Sequence, residues 1–252
     1  MPSQINQRLR IILHADDLGI SRQVNDQIFW LMDEGKITSA SILANGPAFS
    51  DAVRRSHYFP NCSFGLHLNI TEFEALHPSD GLRPLLSGAG TFQRTASRWH
   101  FSNHLKQAVL AEWTAQFQRL RQAGVEISHI DSHHHMHTRL PLLSCLQQFC
   151  TEHAIGRVRI RHTFNDRNGA PRWRIDNLLF NRLLRRQFTC AKEFGPFGGF
   201  ASAQPHFSPG ATVELMLHPG HPSYDHEVRA LNQLMDHDFR QKHQCITYRE
   251  LN

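Results

Sequence analysis

Short apolar runs recur down this chain, each followed by a longer stretch with helical spacing, and this alternation restricts the fold more than any other feature. Arg10–His14 (RIILH) is short and β-branched, as a buried strand is. Ser21 suits the N-cap of a helix over Val24–Glu34 that stops at Gly35. Ser39–Ala44 is a second strand, and Pro47 opens a helix to His57. Ser63–Asn69, Glu126–Asp131, Val158–Ile160, Val213–Leu217 and Ile246–Tyr248 complete the strand series. Between them the spacing predicts helices over Phe101–Gln122, Pro141–His153, Asp176–Gln187 and Asp225–Phe239, with Gly195–Gly199 as a break. Strands alternating with helices imply an α/β chain with a mostly parallel sheet or barrel of roughly seven units. No linker divides the sequence, so residues 1–252 are read as one domain, with 71–101 and 162–210 as loop or insertion segments.

Composition fits such a domain. Hydrophobic residues are 40% and charged residues 19%, which argues against disorder. No apolar run reaches the ~20 residues of a membrane span. Met1–Arg10 lacks the apolar core of a secretory signal, and the five scattered cysteines suit a reducing compartment, so a cytoplasmic protein is expected. Two features stand out: nineteen histidines, and a net charge of +5 that is unevenly placed. Between Arg157 and Arg186 there are nine arginines and two acids, Asp166 and Asp176. Such a lobe attracts anions, or is simply a solvated surface. No nucleic-acid motif accompanies it, so a nucleic-acid partner is not expected.

Four segments place polar residues where apolar strands end, and in parallel α/β folds those ends form the active face. The first is His14-Ala15-Asp16-Asp17-Leu18-Gly19. Neighbours in an extended chain point to opposite sides, so a bend is needed before both carboxylates face one pocket. One could then bind a metal while the other takes a proton from water. A helix cap beside a solvent-facing Asp would also account for the pair. The second is Gly65–Asn69, where His67 and Asn69 would share one strand face. The third is His129-Ile130-Asp131-Ser132-His133-His134-His135-Met136-His137. If extended, it aligns His129, Asp131 and His133, and five histidines in nine residues is a metal-ligand composition. Asp131 could orient a ligand histidine. The fourth is His218-Pro219-Gly220-His221-Pro222, whose first histidine could act as general acid or orienting group. One Asp with two His leaves positions open for water and substrate, and suits Zn²⁺ or Mg²⁺.

At these residues the chain resembles the YdjC-type carbohydrate deacetylases, a family that includes chitooligosaccharide deacetylases and HpnK-like proteins. The resemblance runs in order through HADDLG (14–19), GKITSASILANGP (35–47), FGLHLN (64–69), HIDSHHHMH (129–137) and ELMLHPGH (214–221). It implies a distorted (β/α)7 barrel-like fold related to polysaccharide deacetylases. It implies one divalent metal ion on Asp17, His67 and His133, with Asp16 as general base and His218 as general acid. His14, Asn69, His129, Asp131 and Arg161 would support the ligands or touch substrate. The chain departs from the family at His14, where Asn is more frequent, and at Leu18, where Phe is common. Residues 157–200 match least well.

The expected activity is metal-dependent removal of an acetyl group from an N-acetylated sugar, free or linked to phosphate or lipid. The alternatives are another metal hydrolase such as a phosphoesterase, and a non-catalytic sugar-binding protein. The helix Asp176–Gln187 could rest on the inner membrane face, and a homodimer is a further expectation.

Overall fold

The computed structural model describes residues 8–94, 101–164, 171–235 and 237–252; the polar N-terminal residues, Asp166 and Arg167 lie outside them. The first strand, β1 (Arg10–Leu18), is the axis of the fold. Period-two alternation splits it: Ile11, Leu13 and Ala15 join the main core, while Ile12 meets Ile246, Tyr248 and Leu251 in a small separate cluster. His14 and Asp16 follow Ile12 on that second face, so one strand carries an apolar floor and a polar site above it.

The other strands are β2 (Ser39–Ile42), β3 (Ser63–Leu68), β4 (Ile127–Ser132), β5 (Glu193–Pro196), β6 (Thr212–Leu217) and β7 (Gln244–Cys245). All pair in parallel, in the order β4-β3-β2-β1-β6-β5, with β7 on the first residues of β1. Burial on both sides explains why β1, β2 and β3 are nearly continuous in small and apolar residues. The outer edges of the sheet approach each other through residues 157–163. Val158 bridges Ile130 of β4, and Thr163 donates its N–H to Phe194 of β5 at 2.8 Å. The arrangement is an α/β half-barrel nearly closed by this segment.

The helices are α1 (Arg22–Asp33), α2 (Phe49–Ser56), α3 (Asn103–Gln122), α4 (Leu143–Glu152), α5 (Pro171–Leu184), α6 (Phe200–Ala203), α7 (Asp225–Leu234) and α8 (His237–Lys242). In α1, Ser21 accepts from the Val24 N–H, and Val24, Ile28, Leu31 and Met32 bury one face. Gly35, at φ 66°, turns the chain into β2.

Several boundaries differ from the sequence expectation. Val158–Ile160 makes isolated bridges rather than a strand, because Arg157 pairs with Thr189 on one side while Val158 reaches β4 on the other. The expected break at Gly195 lies in β5; that glycine is needed because a Cβ there would sit 2.6 Å from the Phe164 ring. Asp225–Phe239 is two helices, since α7 ends at Leu234 with Met235 turned out of helical geometry. The last strand is shorter and earlier than expected, and Tyr248 opens a 3₁₀ turn. Of the expected 71–101 segment, residues 71–94 are built rather than loose, with a 3₁₀ helix over Asp80–Leu85 whose Leu82 and Leu85 are buried. Among the described residues, no helix is long and apolar enough to cross a membrane.

The end of β1 is held by a close backbone crossing. A Cβ on Gly46 would lie 2.3 Å from the Gly19 carbonyl oxygen. Gly46→Ala is therefore expected to destabilise the protein by ~1–3 kcal/mol, as overpacking does, measured by urea unfolding. An unchanged midpoint would show that this crossing gives way freely.

Candidate metal centre

Backbone geometry solves the problem posed by adjacent carboxylates. Between Ala15 and Leu18 the β1–β2 register slips by one residue, and Asp17 takes φ 66°. Asp is among the residues that tolerate this left-handed conformation. The slip rotates Asp17 to the side that Asp16 already faces, and both are buried.

Asp17 Oδ1 meets His133 Nδ1 at 2.7 Å and His67 Nε2 at 3.2 Å. His67 comes from β3. His133 does not extend β4: the strand stops at Ser132, and His134 and His135 both adopt positive φ, which folds the histidine run into a 3₁₀ turn. That turn separates the five histidines. His133 reaches Asp17, and His134 and His135 line the rim. His129 and His137 are core residues, the first stacked on Tyr248 and the second held by Ser132 Oγ and the Arg159 carbonyl.

Each cluster histidine has a carboxylate behind it. His67 Nδ1 lies 2.8 Å from Asp131 Oδ1, and Ser41 Oγ bonds the same Asp131. His133 Nε2 lies 3.5 Å from Glu72 Oε2, with no closer partner. Burial would lower the His67 pKa, but Asp131, Asp17 and Asp16 push it up to about 10. His133 is raised in the same way by Asp17 and Glu72 against its burial. Burial would raise the Asp17 carboxyl; the hydrogen bonds and charges of His133 and His67 instead hold it well below the usual carboxylate range.

Asp16 is held differently. Arg159, fully buried, grips both its oxygens at 2.7 and 2.8 Å. The same guanidinium reaches Asp131 at 2.8 Å and Glu214 at 2.6 Å. Glu214 takes a short hydrogen bond from the Tyr248 hydroxyl. His14 lies 3.5 Å from Asp16 and 3.4 Å from Asp131. His218, just past β6, points Nε2 at Asp16 across 4.0 Å. Its backbone N–H donates to Glu227 at 2.7 Å and its ring stacks on Tyr224. Burial would lower the His218 pKa; Glu227 and the two aspartates raise it, which favours the protonated ring.

Among the described residues, three buried carboxylates (Asp16, Asp131 and Glu214) thus share the cation of Arg159, while a fourth, Asp17, meets only histidines. Excess buried negative charge is costly unless protons or a cation balance it. The donor atoms of Asp17, His67 and His133 lie within 4.8 Å of one another, and the two Asp17 separations, 2.7 and 3.2 Å, bracket the roughly 3.0 Å expected between neighbouring ligands of one ion with bonds of about 2.1 Å. The residues present fit a divalent metal.

Two predicted site residues stand elsewhere. Asn69 lies just beyond β3, and its side chain braces the 69–72 turn through Asn45, Thr71 and the Glu72 backbone, which positions Glu72. Arg161 bonds the Thr138 carbonyl and lies over Phe180, away from the carboxylates. The arginine that enters the cluster is Arg159, two residues earlier. Its signal was a lone charge between Val158 and Ile160, and Glu214 sits likewise between Val213 and Leu215. Two depressions of ≈ 300 and ≈ 370 Å³ border the cluster without including it; both are lined by His135, Thr138 and Arg139.

The YdjC-like protein family model matches residues 10–248. The chain belongs to this family. A carbohydrate deacetylase of Halalkalibacterium halodurans is 28% identical over 220 residues, 84% of this chain and 86% of the relative. One of Vibrio campbellii is 31% identical over 147 residues, 58% of this chain and 57% of the relative. A solved structure from Enterococcus faecalis V583, assigned provisionally to cellobiose-phosphate cleavage, superposes with a TM-score of 0.77 at 19% identity, covering 97% of this chain and 99% of that one. That likeness shares the fold.

Arg159→Met would leave Asp16, Asp131 and Glu214 without their common partner. A loss of ~3–5 kcal/mol in unfolding free energy is expected, read by chemical denaturation; a loss below ~1 kcal/mol would mean that protonation or hydration compensates the carboxylates.

Proposed function

We propose that this protein is a metal-dependent carbohydrate deacetylase that hydrolyses the acetamide of an N-acetylated sugar. The observation that carries the reading is the placement of a three-ligand donor set (Asp17, His67 and His133) beside a proton acceptor, Asp16, and a proton donor, His218. The deacetylases among its relatives support the choice of substrate class.

A divalent ion held by Asp17, His67 and His133 would supply a Lewis acid at the floor of the site. The remaining chemistry belongs to side chains. Asp16, fixed by Arg159, takes the proton as water adds to the acetyl carbon. His218 delivers its proton to the nitrogen as the C–N bond breaks, leaving acetate and the free amino sugar. The 4.0 Å between His218 and Asp16 lets both groups reach the same small functional group. Asp131 and Glu72 orient His67 and His133 from behind.

Asp16→Asn is expected to retain metal and lose turnover by a factor of ~10²–10⁴, while His67→Ala and His133→Ala lose the metal as well. Acetate release from a panel of free and phosphate-linked N-acetyl sugars, beside phosphoesters, is the assay. Full activity in Asp16→Asn, or phosphate release in place of acetate, would overturn the reading. Asp131→Asn should weaken metal binding about 10–100-fold, as measured by titration calorimetry.

Proton linkage gives an independent check. His67, raised to about 10, holds its proton in the metal-free site near neutrality, and the upward shift of His133 favours its protonated form. A metal must displace those protons, so affinity should rise with pH from neutrality toward about 10. The binding enthalpy should therefore vary with the ionisation enthalpy of the buffer; buffer-independent enthalpies would show that the site is already deprotonated.

A further inference from the structure

Helix α5 packs one face inward and leaves the other bare. Phe180, Asn181 and Leu184 are buried, Asn181 pairs with the Arg161 backbone, and Asn177 donates to the His162 carbonyl. On the opposite face stand Ile175, Leu178, Leu179 and Leu183, which are 59%, 61%, 60% and 39% exposed. They are half of the eight large hydrophobic residues exposed in the described structure, gathered within nine positions. Arg182 and Arg186 are exposed too and continue the same line, at i+7 and i+11 from Ile175.

From this geometry we infer that the outer face of α5 docks on an anionic lipid surface. An aliphatic stripe that runs into arginines is the pattern of a helix lying in a membrane interface, with apolar side chains among the acyl chains and guanidinium groups at anionic headgroups. The charge is regional: setting aside Arg159, which is buried among three carboxylates, residues 157–186 hold eight arginines against two acids. Asp176, the acid of α5, is turned to the ≈ 370 Å³ depression that Arg139 and Arg161 also line. Size disfavours a protein partner. Four side chains span about 12 Å of helix, a narrow strip beside the ~800 Å² per partner of a stable protein interface. A second copy would also set one basic lobe against another.

The location gives docking a consequence. α5 walls that depression with Asp176 and Asn177, opposite Arg139, whose chain neighbour Leu140 is 63% exposed. Docking would turn the mouth beside the histidine rim toward the headgroups. The inference does not rest on the deacetylase reading.

Flotation of the full chain with vesicles tests it. Binding is expected to vesicles of phosphatidylcholine mixed with phosphatidylglycerol, to weaken with added salt, and to be absent with phosphatidylcholine alone. Leu178→Glu/Leu179→Glu and Arg182→Glu/Arg186→Glu should each weaken binding by more than about tenfold. Both should keep the wild-type circular dichroism and thermal midpoint, because the positions are exposed, and keep activity on a water-soluble N-acetyl sugar. Absence of binding, equal binding to both vesicle types, or unchanged binding in both variants would overturn the inference. Concentration-dependent self-association that Leu178→Glu/Leu179→Glu abolishes would assign the face to a second copy instead. Vesicle binding without acetate release from any sugar would sink the functional reading and leave this one standing.

Discussion

The contact on which the site depends is the buried guanidinium of Arg159. It satisfies Asp16 with a bidentate pair and ties Asp131 and Glu214 to the same centre. Arginine suits this task because its planar fork of five donors is always charged and can face three carboxylates at once. Through Asp131 its influence reaches His67, and through Glu214 it reaches the Tyr248 hydroxyl at the apolar floor. The carboxylate of Asp16, the orientation of His67 and the packing of the core thus meet in one side chain.

Around that centre the strands divide the work. β1 supplies both aspartates because a register slip cancels the alternation of an extended chain. β3 supplies His67, and the turn after β4 swings His133 back onto Asp17. Asp17 and His67 lie in the last residues of parallel strands, and His133 follows directly on β4, so backbone geometry fixes their origins. Rim residues such as His134 and His135 belong to a turn and line the depressions instead. One turn therefore serves both floor and rim: its first residue, His133, reaches Asp17, and the next two form the rim.

Much of this was legible in the sequence. Period-two and helical spacing gave most strands and helices, and polar residues at strand ends marked Asp16, Asp17, His67, His133 and His218, which the structure gathers. Composition alone could not rank the histidines of 129–137, because their roles depend on where the strand stops and on two left-handed residues that no periodicity encodes. Arg159 was hidden by its neighbours: among nine arginines a single buried one has no distinguishing composition, only its place between Val158 and Ile160. Glu72 was missed because its role comes from a turn braced by Asn69, not from any strand face.

The place of β1 in the sheet has a consequence for how the chain assembles. Its first residues pair with β7, more than two hundred positions later, and Asp16 waits 143 positions for Arg159. A ribosome delivers the carboxylates long before their counter-charge, and Tyr248, which caps the floor, follows Arg159 by a further 89 positions. Contacts of such long range make folding slow and leave early intermediates with unpaired strand edges. Until Arg159 and Tyr248 emerge, the two aspartates belong in water, and the interior that will enclose them cannot shut.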